Sequence, residues 1–148
     1  MITCYADTPR WKTTRMLVEL DWTNMEEDRD PLWADALCLY VYLHPERDWL
    51  LYIGKADHST VRQRLHGDHK AQLWREYEIA TVRVMHGDVV VDGRRTSQLL
   101  SDVETLLIKR LRPFGNIQST RSRISRRGMR VHCLGDWPFK RWRFHDVD

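Results

Sequence analysis

The chain has 148 residues, with 24 Lys and Arg against 21 Asp and Glu, for a net charge of +3. That length suits one domain with a core of its own, and no run of about eighteen apolar residues offers a membrane span. Cys4, Cys38 and Cys133 are far apart with no CxxC pair, which argues against a disulfide framework and against a structural zinc. The N-terminus lacks the apolar segment of a cleaved signal. A reducing, cytoplasmic setting is the resulting expectation.

The charge is unevenly spread. Asp21 to Asp35 carries six acids against Arg29 alone, whereas Arg121 to Arg143 carries eight Lys or Arg against Asp136. A lopsided basic surface points to a polyanion partner; a solvated tail is the plainer reading. Residues 1–36 read as an extension ahead of the core, with a strand over Arg15–Trp22 and a polar loop over Thr23–Asp30.

The stretch from Leu37 to His69 organises the chain. Leu37–His44 and Trp49–Gly54 are apolar, and Pro45–Asp48 between them is polar, so the pair reads as an antiparallel hairpin. Strand alternation places Tyr40 and Tyr42 on one side, with Tyr52 across from them. Thr60 and Gln63 have capping-box spacing, opening a helix with Val61 and Leu65 on its apolar edge and Arg64 beside Asp68. Lys70–Tyr77 continues helical. Ile79–Met85 alternates as a third strand, His86–Asp88 reads as a turn, and Val89–Val91 as a short fourth strand.

Thr96 or Ser97 caps the best-marked helix, Gln98–Leu111, which stops before Pro113. Leu100, Val103, Leu107 and Leu111 form its buried face, and Glu104 falls in the same stripe. A carboxylate aimed at a core needs a partner, either an arginine or a metal. The expected architecture is α+β: a small antiparallel sheet of three or more strands flanked by helices.

Taken in order, Cys38-Leu39-Tyr40, Tyr52-Ile53-Gly54-Lys55-Ala56, Arg64-Leu65 and the block from Glu104 to Asn116 (ETLLIKRLRPFGN) resemble the GIY-YIG nuclease superfamily. The resemblance covers Leu37 to about Asn116. It divides the chain into an extension (1–36), a nuclease core (37–116) and a basic, aromatic extension (117–148) packing on or beside the core. The departures are Cys38 for the first glycine, Tyr42 competing with Tyr40 for the first tyrosine role, Arg62 competing with Arg64, and Asp68 flanked by His66 and His69 where the family has His or Tyr.

The resemblance implies phosphodiester hydrolysis with one divalent ion, Mg²⁺ or Mn²⁺, held by Glu104. Arg64 would neutralise charge on the phosphate. Tyr40 would take the proton of the attacking water, Tyr52 would orient that water, and Asn116 would brace the site. Tyr42 and His69 complete the catalytic candidates. A phenol is a weak base at neutral pH, so a nearby cation such as Lys55 must assist it. Lys55, Arg62, Arg121, Arg123, Arg126, Arg127 and Arg130 are the candidate nucleic-acid contacts, with Trp137, Phe139, Trp142 and Phe144 available for stacking or for the core. The expected partner is duplex or branched DNA, with RNA the weaker expectation and no membrane, and the protein is expected to be a monomer or homodimer. The competing reading is a module of the same fold that binds without cutting.

Overall fold

The computed structural model describes residues 16–25, 30–66, 70–116 and 128–146. Six strands form one mixed sheet: β1 (Met16–Met25), β2 (Cys38–Leu43), β3 (Leu50–Ala56), β4 (Arg83–Val91), β5 (Met129–Gly135) and β6 (Arg143–His145), in the spatial order β3-β2-β4-β1-β5-β6. Helices α1 (Val61–Arg64) and α2 (Ala71–Glu76) belong to one face, and α3 (Ser97–Leu111) to the other. No helix among the described residues is long and apolar enough to cross a membrane. The α+β architecture follows the patterning, but the sheet is not purely antiparallel.

The parallel pair is β1 with β5, in register from Met16 opposite Met129 to Trp22 opposite Gly135. It joins segments more than a hundred residues apart and has no local sequence signal. Both strands nevertheless alternate cleanly. Val18, Leu20 and Trp22 of β1, and Met129, Val131 and Cys133 of β5, bury their side chains against α3, while Arg130 and His132 face the other way. Segments read from sequence as flanking extensions therefore supply interior strands of the main sheet. β1 also runs on through Thr23, Asn24 and Met25, where polarity suggested a loop, because each pairs with β4.

The turn expected at His86–Asp88 is absent. β4 is a single strand through Gly87, which pairs with Leu39 on one side and Trp22 on the other. A Cβ at Gly87 would stand 2.8 Å from the Trp22 ring, so this glycine marks a close approach and not a reversal. Ile79–Val82 lies outside β4, in the turn that leads into it.

The helix boundaries match their chemical signals. Thr60 and Gln63 complete a capping box at α1. Thr96 Oγ1 accepts from the Leu99 N–H at 3.1 Å to start α3. Arg112, left-handed at φ 47°, ends that helix one residue before Pro113. Leu99, Leu100, Val103, Leu106 and Leu107 of α3 pack on Leu39, Val41, Ile53 and Met85 of the sheet. Burying side chains of this size contributes roughly 1.5–3 kcal/mol each, and that fixes α3 beneath the edge strand β3.

Candidate active site

β3 is an edge strand, so the outward N–H and C=O groups of Ile53 and Lys55 have no neighbouring strand to pair with. Three of these four groups are met by the segment that begins with α3. The Asn116 side chain closes on Ile53 twice: its Oδ1 accepts from the Ile53 N–H at 2.7 Å, and its Nδ2 donates to the Ile53 carbonyl at 2.8 Å. Two residues along, the Lys55 backbone N–H reaches the Glu104 carboxylate. Glu104 is thereby held at the rim of the sheet, half-buried, on a helix that packs Leu99, Leu100, Val103, Leu106 and Leu107 on the sheet and also buries Asp102 and Thr105.

The opposite face of the hairpin carries the phenols. Tyr42 lies directly across from Tyr52, and Tyr40 across from Gly54. The ring centroids of Tyr40–Tyr42, Tyr42–Tyr52 and Tyr40–Tyr52 are 5.2, 5.5 and 6.1 Å apart. A Cβ on Gly54 would fall 2.3 Å from the Tyr40 hydroxyl and ring. The glycine of Tyr52-Ile53-Gly54 thus exists to let the Tyr40 phenol cross the strand towards its edge.

This geometry separates the two tyrosine candidates. The Tyr40 hydroxyl lies beside the Arg64 guanidinium and in the field of Glu104. Tyr42 turns inward, accepting from Lys70 Nζ at 3.2 Å and packing on Trp74 with ring centroids 5.4 Å apart. The arginines separate too. Arg64 is half-buried facing the phenols, whereas Arg62 is exposed with its guanidinium 5.0 Å from the Trp33 ring. His66 is exposed, and Asp68 and His69 lie outside the described residues.

Lys70, not singled out from sequence, is the strongest addition. It is 1 % exposed, and its ammonium lies 4.9, 5.3 and 5.2 Å from the ring centroids of Tyr40, Tyr42 and Tyr52. It also donates to the Arg64 carbonyl. The rings favour a cation over their faces. Burial and the nearby Arg64 outweigh them and pull the Lys70 pKa down to about 7, with Glu104 opposing. A lysine in a helical segment gives no sequence sign of such burial. The cluster of three tyrosines facing it was the available clue.

Burial raises the pKa of all three phenols, each reinforced by a neighbouring tyrosine and opposed by Arg64. Burial likewise raises that of Glu104, with Lys55, Arg64 and Lys70 pulling it back. For Arg64, burial works against the charge, but Tyr40, Tyr52 and Glu104 more than restore it, leaving a firm cation. A metal-free Glu104 is therefore a carboxylate held at a cost. A hydrated divalent ion, content with one protein carboxylate, suits that position.

Of the remaining sequence candidates, Lys55 belongs to the site: its charge acts on Glu104, and its Nζ donates to Ser101 Oγ on α3. Arg130 lines a cavity of about 270 Å³ with Arg143, Phe144 and His145. Arg121, Arg123, Arg126 and Arg127 lie outside the described residues. No protein-family model, curated protein or solved structure matches the chain.

Proposed function

We propose that this chain is a metal-dependent DNA endonuclease with a GIY-YIG-type fold and site. The observation that carries the reading is the convergence of Tyr40, Arg64 and Glu104 at the edge of β3, with Asn116 clasping that edge. Tyrosine, arginine, glutamate and asparagine come from four separate elements. A domain that only needed a core would have no reason to gather them around half-buried charge.

Glu104 would hold Mg²⁺ or Mn²⁺, and the ion would supply Lewis-acid polarisation and charge neutralisation. The protein's own groups do the rest. Arg64 presents a planar fork to the non-bridging oxygens of the scissile phosphate. Tyr40, beside Arg64, receives the proton of the attacking water, and Tyr52 orients that water. Burial keeps Tyr40 a neutral phenol at neutral pH, so it must give up its own proton as it takes the water's. Lys70, its pKa lowered to about 7, is the proton sink: the proton of Tyr40 passes to Tyr42, and that of Tyr42 to the neutral Lys70 amine it touches.

The sheet supports a DNA partner as well. The face bearing Tyr40 continues through His86 and Thr23 to Glu19, His132 and Arg143, with Arg130 and His145 beside them. From β2 to β6 is four strand spacings, about 20 Å, close to the width of a duplex. The test is a Mg²⁺-dependent nicking assay on supercoiled plasmid, followed by nicked and branched duplexes. Cuts that leave 3′-hydroxyl ends support the reading. Tight DNA binding with no cleavage would favour the non-cutting module.

A further inference from the structure

A second group of metal-ligating side chains stands on the same sheet face, away from Glu104. Asp35, Cys38 and His86 place one ligand atom each within 4.8 Å of one another. His86 Nε2 and Asp35 Oδ2 are 2.8 Å apart. His86 and Cys38 are 2 % and 0 % exposed, while the Asp35 side chain is 40 % exposed and opens the group to solvent. We propose that Asp35, Cys38 and His86 form a three-ligand site for Zn²⁺ or a similarly thiophilic divalent ion, with water completing the coordination.

The fold builds this site from distant parts. His86 lies opposite Tyr40 in the β2–β4 ladder, so Cys38, two residues back along β2, shares its face one step away. Asp35 enters from the short turn Pro31–Ala34, carried over that face by a backbone that passes through Leu37 at φ 55°. A left-handed leucine is uncommon and costs of order 1 kcal/mol or more. Asp88 and Arg95, paired at 3.2 Å, both act on the thiol, with opposite signs. Spacing along the chain argued against zinc because the cysteines are scattered. The sheet instead joins one cysteine to a histidine 48 positions later, 86 minus 38.

The ligand chemistry selects the ion. Thiolate, imidazole and carboxylate together favour zinc over Mg²⁺, which takes oxygen donors. Tetrahedral ligands around zinc are separated by about 3.3–3.8 Å, so the Asp35–His86 contact must open by roughly half an ångström and Cys38 must close in. Binding forms a metal–sulfur bond as the Cys38 S–H loses its proton to solvent. Without metal, burial and the carboxylates of Asp35 and Asp88 push the thiol pKa up to about 12.

The consequence is mechanical. The Asp35 carbonyl accepts from the Val61 N–H at 3.1 Å, at the start of the helix that presents Arg64. An ion joining Asp35 to β2 and β4 would tether that helix to the sheet. The site does not depend on the chain being a nuclease.

Cobalt reports the site directly. The chelator-treated full chain, titrated with Co²⁺, should take up one ion with a thiolate-to-metal band in the near ultraviolet. That band should survive Cys4→Ser with Cys133→Ser and vanish in Cys38→Ser. Zn²⁺ should raise the unfolding temperature of the wild type, and Asp35→Asn, which can still accept from His86, should weaken Zn²⁺ binding about tenfold or more. A missing band, a band retained in Cys38→Ser, or unchanged Zn²⁺ affinity in Asp35→Asn overturns the proposal. The Asp35 variant decides the matter even if Cys38→Ser folds poorly.

Discussion

Asn116 and Ile53 form a closed pair, with the side-chain amide of one satisfying both backbone groups of the other at 2.7 and 2.8 Å. The pair turns an exposed strand edge into a fixed wall of the site, and it is buried. Asn116→Asp keeps the acceptor for the Ile53 N–H but sets a second acceptor against the Ile53 carbonyl. The expected loss is about 1–3 kcal/mol of stability, measured by urea unfolding. An unchanged midpoint would show that the clasp contributes nothing.

Gly54 tests the packing of Tyr40. With a Cβ only 2.3 Å from the phenol, Gly54→Ala forces the ring away and should cost about 1–3 kcal/mol. Most of that cost should disappear when Tyr40 is first changed to Ala, a coupling that a double-mutant cycle reads directly.

Lys70 sets the pH dependence. Its folded pKa is about 7, below the ordinary 10.5, so between those values the unfolded chain holds more protons than the folded one. The penalty of the buried cation is full below pH 7, and stability should rise with pH from 7 towards 9. Lys70→Met should flatten that rise. It should also remove the increase in cleavage rate through pH 7 and lower the rate by about 10²–10⁴. A variant with the wild-type pH profile would exclude Lys70 from the reaction.

Much of this fold is legible in the sequence because it is local. The capping residues Thr60 and Thr96, the stop at Pro113, the hairpin and the acid inside the stripe of α3 are each set by a few neighbouring residues. What escaped is long-range. Nothing near Met129–Gly135 announces a parallel partner in β1, and the basic run ending at Arg130 drew attention from Met129, Val131 and Cys133, which alternate as a buried strand face. Gly87 suggested a turn because its real reason, the Trp22 ring, lies on another strand. Lys70 reads as a surface lysine until the three tyrosine rings close over it.

The basic end of the sheet makes a separate prediction. Arg143→Glu together with Arg130→Glu should weaken DNA binding broadly across sequences and reduce the salt dependence of log Kd by about two phosphate contacts. A slope equal to that of the wild type would place the DNA elsewhere.

Burial and the raised pKa make Glu104 an expensive carboxylate. The metal-free native state therefore gains from protonation, and that gain is lost as pH rises through the folded value. Metal-free Glu104→Gln should be at least as stable as the wild type at pH 8, by thermal unfolding.

The most direct measurement pairs cleavage with metal-induced stabilisation in wild type and Glu104→Gln. The wild type should nick plasmid in Mg²⁺ and melt at a higher temperature when Mg²⁺ or Mn²⁺ is added. Glu104→Gln should remain folded, show neither cleavage nor the stabilisation, and still bind DNA. Undiminished cleavage by a folded Glu104→Gln protein would contradict the account at its centre.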